Sequence, residues 1–444
     1  MWQVLSPLSD RSYGRLFTAQ VAALVGTGLA TVALGLLAHD IAGAQAGEIL
    51  GAVLAIKMIC YVGVAPIANA LAVHAPRKTL LVGLDLVRAS VAACLPFVGE
   101  AWQVYALMTV LFVASAAFTP AFQSMIPDIL PAEADYTKAL SLSRLASDLE
   151  SVVSPILAAI LLAFISFNDL FAGTAMGFAA SALLVLSALI PKTAAPPQRP
   201  FLERLTGGMR LFAHTPRLRG VLALSLATAA GGAMAFVNTV VLVQSGFGLG
   251  QRESALALAA FGAGSIAAAF ALPPLLSRIS DRSVLLGGSS IMAMTLVSAV
   301  FLASSYGALI AHWIILGAGY SLTLTPIGRV LRRSSSAEDR PALFAAQFAL
   351  SHACWLIAYP AAGFASAGLG TDAAFVATAA LAAIGAMAGA ALWPAHEPDS
   401  LPHRHDDLSA DHKHIADAEP DAAGRVHAHP YVIDPLHPHW PNLK

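Results

Sequence analysis

The chain is short of charge. Of its 444 residues, 11% are Asp, Glu, Lys or Arg, while 57% are hydrophobic. Soluble domains carry about 25% charged residues, so a soluble globule of this size would lack the charge to cover its surface. The mean hydropathy of +0.71 agrees, and the composition is that of a polytopic membrane protein. Cysteine is scarce as well. Cys60, Cys94 and Cys354 all sit in apolar runs with no Cys-x-x-Cys spacing, which argues against a disulfide scaffold and against a thiolate zinc site. Net charge is −1, so no bulk attraction to nucleic acid is expected. No Walker loop, Gly-x-Ser-x-Gly or His-Glu-x-x-His occurs, which excludes ATP-driven transport within this chain and gives no reason to expect an enzyme. A short cleavable leader is not expected either, because the first apolar run is long enough to span a bilayer. Barrel-like alternation is missing, so helices are the expected spanning elements.

What is present is a set of long apolar runs. A helix needs about 20 such residues to cross hydrocarbon roughly 30 Å thick. Runs of that length lie near 16–38, 49–73, 79–98, 103–125, 140–165, 170–190, 220–244, 254–276, 284–304, 307–328, 342–366 and 372–393. Twelve spans put both termini on one side. That side then holds Arg11, Arg15, Arg77, Lys78, Lys138, the basic 192–219 loop, Arg278, Arg282, Arg329, Arg332, Arg333 and Arg340, and the other side holds only Arg252. By the positive-inside bias the termini are expected in the cytoplasm and the protein in the cell inner membrane.

The halves repeat at an offset of about 205. Thr119-Pro120 matches Thr325-Pro326, Arg77-x-x-Leu80-Leu81 matches Arg282-x-x-Leu285-Leu286, and Ser154-Pro155 echoes Tyr359-Pro360. The expected organisation is a six-helix bundle over 1–190, a cytoplasmic loop over 191–219, a second six-helix bundle over 220–394 and a polar tail over 395–444. Two such repeats are the layout of a rocking transporter with its site between them.

On these residues the chain resembles the major facilitator superfamily. The stretch Phe118-Thr-Pro-Ala-Phe-Gln-Ser-Met-Ile-Pro-Asp-Ile-Leu-Pro131, the run Ala139-Leu-Ser-Leu-Ser-Arg144 and Asp85-Leu-Val-Arg88 resemble its drug:proton antiporter branch. A histidine-rich tail behind the last span, with Ser351-His-Ala-Cys-Trp355, resembles the nickel-resistance efflux permeases. The resemblance implies an all-α, twelve-helix fold. It also implies that Asp85 and Arg88, one turn apart in span 3, act either in an inner gate with Arg77 or as a structural ion pair. Two family patterns are altered. The loop that usually reads Gly-x-Leu-Ala-Asp-Arg is Asn69-Ala-Leu-Ala-Val-His74, and Glu150 stands at the first glycine position of the span 5 antiporter motif.

Charge at membrane depth costs roughly 2.5–3.5 kcal/mol per residue on insertion scales, so each instance needs a reason. Arg144 and Asp148 are one helical turn apart and are expected to pair. Glu150 lies roughly 200° around the helix from Asp148, so it cannot share that pair. Either carboxylate is a candidate for proton titration or cation binding, the alternative being structural pairing. His352, at similar depth in span 11, is a candidate metal ligand and proton acceptor. Lys57 has no role fixed by the sequence; pairing with a carboxylate of another helix is one option. Asn238, Gln20 and His312 are candidates to line the cavity, the commoner alternative being polar residues satisfied within the helix packing.

Nine of the 14 histidines fall in 395–444. They include His403-x-His405, His412-x-His414, His427-x-His429 and His437-x-His439, interleaved with aspartates. Neutral imidazoles suit Ni²⁺, Cu²⁺, Co²⁺ and Zn²⁺, so the tail is expected to capture metal, and to be disordered without it. No resident cofactor is expected. The expected partners are a divalent metal ion as substrate, protons and the lipid bilayer. The function anticipated is export of a divalent transition metal, nickel first and cobalt next, by proton antiport. Two alternatives stay open: an exporter of an organic drug or siderophore with a metal-responsive tail, and a membrane metal sensor that does not transport.

Overall fold

The computed structural model describes residues 2–42, 46–72, 75–191, 200–395, 400–404, 419–421, 424–429, 431–433, 436–437 and 440–441. The apolar runs are helices, as they must be where no water can satisfy a backbone amide. They are α1 (Arg11–Ala42), α2 (Ala46–Ala72), α3 (Arg77–Cys94), α4 (Ala101–Ile129), α5 (Glu133–Leu162) and α6 (Phe167–Ser187). The second half comprises α8 (Pro216–Val240), α9 (Gln251–Leu276), α10 (Asp281–Leu302), α11 (Tyr306–Leu324), α12 (Ile327–Arg333), α13 (Arg340–Leu369) and α14 (Thr371–Leu392). Polar residues begin the helices where sequence logic puts them. Asp10 Oδ1 accepts from the amides of Ser12 and Tyr13. Glu100 with Gln103, and Ser166 with Asp169, form capping boxes. Ser280 and Ser305 cap α10 and α11. Such caps satisfy amides that the first turn leaves open.

Eleven helical stretches among the described residues are long and apolar enough to cross a membrane. α5 completes the series by length, at 30 residues, but it carries Arg144, Asp148 and Glu150. The architecture is therefore the expected all-α bundle of two six-helix repeats. The face that bears the N-terminus, the start of α3 and the tail is called here the terminal face.

Within each half the helices interlock through glycine. α1 meets α6 where a Cβ on Gly26 would touch Thr174 O and one on Gly177 would touch Ala22 O. The equivalent pair in the second half, α8 and α14, approaches at Gly385, against Ala223 O and Ala227 N. α9 and α11 meet reciprocally, Gly264 on Ile314 O and Gly317 on Phe261 O, leaving no room for a side chain at either glycine. Without a hydrophobic drive between helices in lipid, such close backbone packing supplies much of the association energy.

Four features depart from or add to the sequence expectations. The 191–219 loop contains a helix, α7 (Phe201–His214), whose Leu211 and Phe212 pack beneath the second half. α8 ends in a π-helical turn, Val241–Gly246. The repeated Thr-Pro pair behaves differently in its two copies: Pro120 lies inside the continuous α4, whereas Thr325-Pro326 separates α11 from α12. The tail, expected to be disordered, contains β1 (Leu401–Arg404), β2 (Glu419–Asp421) and β3 (Gly424–His429), antiparallel in the order β1-β3-β2. Beyond the sheet, Tyr431 and Ile433 are buried in the same cluster as Leu211, Leu218, Val221, Val330 and Phe344. The reason is local composition. Tyr431-Val-Ile and Trp440 are an apolar island in an otherwise polar tail, and they find an apolar surface at the ends of α7, α8, α12 and α13.

Candidate functional site

The halves touch at two levels. At the terminal face, Asp128 ends α4 and is bound from both halves. Arg77 Nη1 reaches its Oδ2 at 2.7 Å, and Arg340 at the start of α13 pairs with its Oδ1. Arg329 on α12 pairs with Asp281 of its own half at 2.8 Å and crosses to Glu133 and Thr137 of α5. Arg332 donates to Pro131 O, and Gly328 sits against Tyr136 and Leu140. Eight polar side chains thus close this mouth, with Arg77 where the gate assignment expects it. Asp85 and Arg88 lie elsewhere. They pair with each other inside the first half, where Ser181 donates to Asp85 at 2.8 Å and the guanidinium lies between Phe118 and Phe178, 3.9 and 4.6 Å from the ring centres. The structure therefore brings Arg77 to the inter-half seam but leaves Asp85 and Arg88 buried within one bundle.

The second level is near mid-membrane. Arg144 and Asp148 form the expected pair, with Nε to Oδ2 at 3.0 Å. Ser265 of α9 donates to Asp148 at 2.6 Å, so the pair spans the seam, and the Arg144 guanidinium lies 5.0 Å from the ring centre of Tyr320 on α11. Glu150 points the other way, as its angular offset requires. A Cβ added to Gly28 of α1 would fall 2.6 Å from Glu150 Oε1 and would overlap Ser154. Lys57 on α2 interacts electrostatically with Glu150, which fits the option of pairing with a carboxylate of another helix. Lys57 also lies 5.6 Å from the Tyr61 ring centre.

His352 faces this group from the other half. Its ring meets Tyr61 edge-on at 4.8 Å and Phe348 at 4.3 Å. Its Nδ1 lies 2.7 Å from Phe348 O. A carbonyl only accepts, so Nδ1 carries the hydrogen when the ring is neutral, and Nε2 keeps the basic lone pair. Lys57, Tyr61, Glu150, Arg144, Asp148 and His352 therefore form two adjoining polar clusters contributed by both halves. Among the described residues no three His, Cys, Asp or Glu side chains converge as a metal site.

Other candidates are structural. Asn238 donates to Ala362 O at 3.2 Å and ties α8 to α13. Gln20 accepts from Ser143 across α1 and α5. His312 bonds back to Ala308 O within its own helix. Cys354 is buried against Ala229 and Ala233 inside the second half.

Three elements were not foreseen from sequence. Asp128 is the hub of the mouth, although Pro127-Asp128 stood inside the motif that signalled the family. Tyr61 sits between Lys57 and His352, one turn from the lysine. The third is an aromatic group on the second half: Phe236 stacks on Trp355 at 6.1 Å and meets Phe261 and Tyr320 edge-on, while Trp355 packs on Tyr359 at 4.9 Å.

In the tail, backbone register pairs His403 with His427 and Leu401 with His429. His437 is 2% exposed. His405, His412, His414 and His439 lie outside the described residues.

Two bundles that meet in a gated mouth and a buried polar seam are an alternating-access body. The family model described as Major Facilitator Superfamily matches residues 16–251 and 221–430. The chain belongs to the Major Facilitator Superfamily. Among superfamily relatives, it is 29% identical over 120 residues to the "Uncharacterized MFS-type transporter YfiS" of Bacillus subtilis (strain 168), a match covering 27% of this chain and 28% of that protein. It is 28% identical over 121 residues to macrolide efflux protein A of Enterococcus faecalis, covering 26% of this chain and 37% of that protein. The chain thus aligns with roughly a third of each relative or less. The human organic anion transporter MFSD10 (TETRAN) superposes with a TM-score of 0.75 at 11% identity, over 85% of this chain and 99% of that one. An outward-facing bacterial homologue of the iron transporter ferroportin gives 0.73 at 14% identity, over 86% and 98%. At these identities the likeness is one of fold.

Proposed function

We propose that this superfamily transporter exports a divalent transition metal ion, nickel first and cobalt next, from the cytoplasm by proton antiport. Its termini are then cytoplasmic, in a cell inner membrane, a topology the basic loops support. The observation that carries the reading is the register of the tail sheet. Direct partners across an antiparallel ladder share a face, and so do residues two apart. The Cα register sets His403 opposite His427, with His429 two positions along the same strand. Imidazole nitrogens suit borderline divalent cations. The tail gathers the ion where the body takes it up.

In the body, Glu150, Asp148 and His352 are candidates to accept a proton or a cation, with Arg144 paired to Asp148. Moving a divalent ion outward against 100 mV costs about 4.6 kcal/mol, and two protons moving inward cancel that term. Exchange of one ion for two protons is the stoichiometry this balance favours. The test is Ni²⁺ efflux from everted vesicles or proteoliposomes under an imposed pH gradient. Gradient-dependent Ni²⁺ movement that stops with Glu150→Gln supports the reading; a protein that moves no metal under any gradient refutes it.

A second reading, export of an organic compound with the tail as regulator, is favoured by the Phe236, Trp355 and Tyr359 stack. It draws further support from the macrolide efflux relative. A growth panel with nickel, cobalt, zinc, copper and cationic drugs separates the two.

A further inference from the structure

We propose that Tyr431, His437 and Trp440 form a clasp on Arg217 that holds the terminal mouth shut, and that a divalent cation taken up by His437 releases it. This deepens the metal reading and rests on it for the releasing ligand, but not for the clasp itself.

The clasp is built on Arg217, at the start of α8 and 5% exposed. One guanidinium holds three things at once. Its Nε donates to Ser334 Oγ at 2.7 Å, and Nη2 donates to Arg333 O and to Tyr431 O, both at 3.0 Å. Trp440 covers it, with the ring centre 5.0 Å from the guanidinium carbon. Tyr431 then meets Trp440 at 5.3 Å and His437 at 4.7 Å, both edge-on. Ser334 and Arg333 end α12, the short helix whose Arg329 and Arg332 reach across to Glu133, Thr137 and Pro131. The tail and the gate helix are therefore fastened to the same side chain. Lifting the tail removes an acceptor and a stacked ring from Arg217 and loosens its hold on the end of α12.

Metal and clasp compete for His437. A bound divalent ion needs a ring nitrogen and several further ligands around itself, and His437 at 2% exposure has no space for them in the docked state. Ligation therefore draws the ring out and removes its edge-on contact with Tyr431. The adjoining His427-x-His429 lies just before Tyr431, so cations gathered on the sheet also bring positive charge toward Arg217. Both effects oppose docking. The mouth then opens when cargo is at hand and stays shut when it is not, which limits idle proton leakage.

The test is hydrogen exchange on the full-length protein in detergent, with Ni²⁺ as the probe and equilibrium dialysis to count bound ions. Ni²⁺ is expected to lower amide protection of Tyr431, Val432, Ile433, His437 and Trp440 and of Ile327–Arg333 about 30-fold, the scale of one desolvated cation–π contact, and EDTA is expected to restore it. Trp440→Ala, which keeps every histidine, is expected to show the same loss without metal and to bind as much Ni²⁺ as the native chain. Bound Ni²⁺ with unchanged exchange overturns the release and leaves the metal reading standing. Failure to bind Ni²⁺ overturns the metal reading and the release with it. Trp440→Ala with native protection of Ile327–Arg333 overturns the clasp, whatever the tail binds.

Discussion

Replacing Asp128 with Asn removes the carboxylate to which Arg340 and Arg77 are both fastened. Side-chain exposures are 12% for Asp128, 11% for Arg340 and 21% for Arg77, so the cations are largely, though not wholly, withdrawn from water. Breaking a fully buried pair by deleting one partner costs roughly 3–5 kcal/mol, and an exposed pair is worth less than about 1. A value of about 2 kcal/mol is reasonable here. The cost falls on one state only. Arg340 belongs to the second half, so when the mouth opens it moves from Asp128 into water, where an unpaired guanidinium costs little. The equilibrium should therefore shift toward the open mouth by about 30-fold, at 1.36 kcal/mol per decade. Spin labels at Thr79 and Glu338, exposed positions on the two halves at this face, would report the shift as a growing long-distance population. Arg77→Ala is the control. It removes a contact within the first half, common to both states, so it should lower thermal stability while moving the distance ratio much less. The reasoning fails if Asp128→Asn leaves the distance distribution as it was, or if Arg77→Ala shifts it as far.

Asp148→Asn leaves Arg144 beside Ser265 without a counter-charge and should reduce proton-driven transport at least tenfold, an order-of-magnitude expectation for losing a charged partner; undiminished transport under an imposed pH gradient would exclude a coupling role. Gly28→Leu must push into Ser154 and Glu150 and should destabilise the fold by about 1–3 kcal/mol. Ser154→Gly should recover part of that loss in a thermal melt, and no recovery would show that the crowding lies elsewhere. Alanine at His403, His427 and His429 should weaken Ni²⁺ binding by the tail at least tenfold in dialysis if three imidazoles share one ion, whereas a small graded loss would indicate independent sites.

The spans were legible because bilayer thickness imposes a length that composition alone satisfies. Their ends were less so: α1 runs from Arg11 to Ala42, well past the apolar run at 16–38, because a helix continues until its caps stop it. The pairing of Arg144 with Asp148 and the divergence of Glu150 followed from 3.6-residue geometry. What no local rule supplies is the partner from another helix. Asp85 with Arg88 showed the right spacing for a pair, but nothing in the spacing says that Phe118 and Phe178 enclose it inside one bundle. Asp128, Tyr61 and the aromatic group depend on how the halves dock, which is long-range information. The strands Leu401–Arg404, Glu419–Asp421 and Gly424–His429 were missed for another reason. Averaged over 50 residues the tail's composition is that of a disordered segment, and the few apolar residues that anchor it are diluted by the histidines and aspartates around them.

The glycine contacts that lock α1 to α6, α8 to α14 and α9 to α11 have a mechanical consequence. Helices held backbone to backbone cannot slide past one another by small increments, so each bundle behaves as a stiff lever. A proton arriving mid-membrane and an ion pair parting some 20 Å away are then two ends of one beam, by the rise of about 1.5 Å per helical residue. Softening a single one of these contacts should leave both ends chemically intact while the signal between them fades.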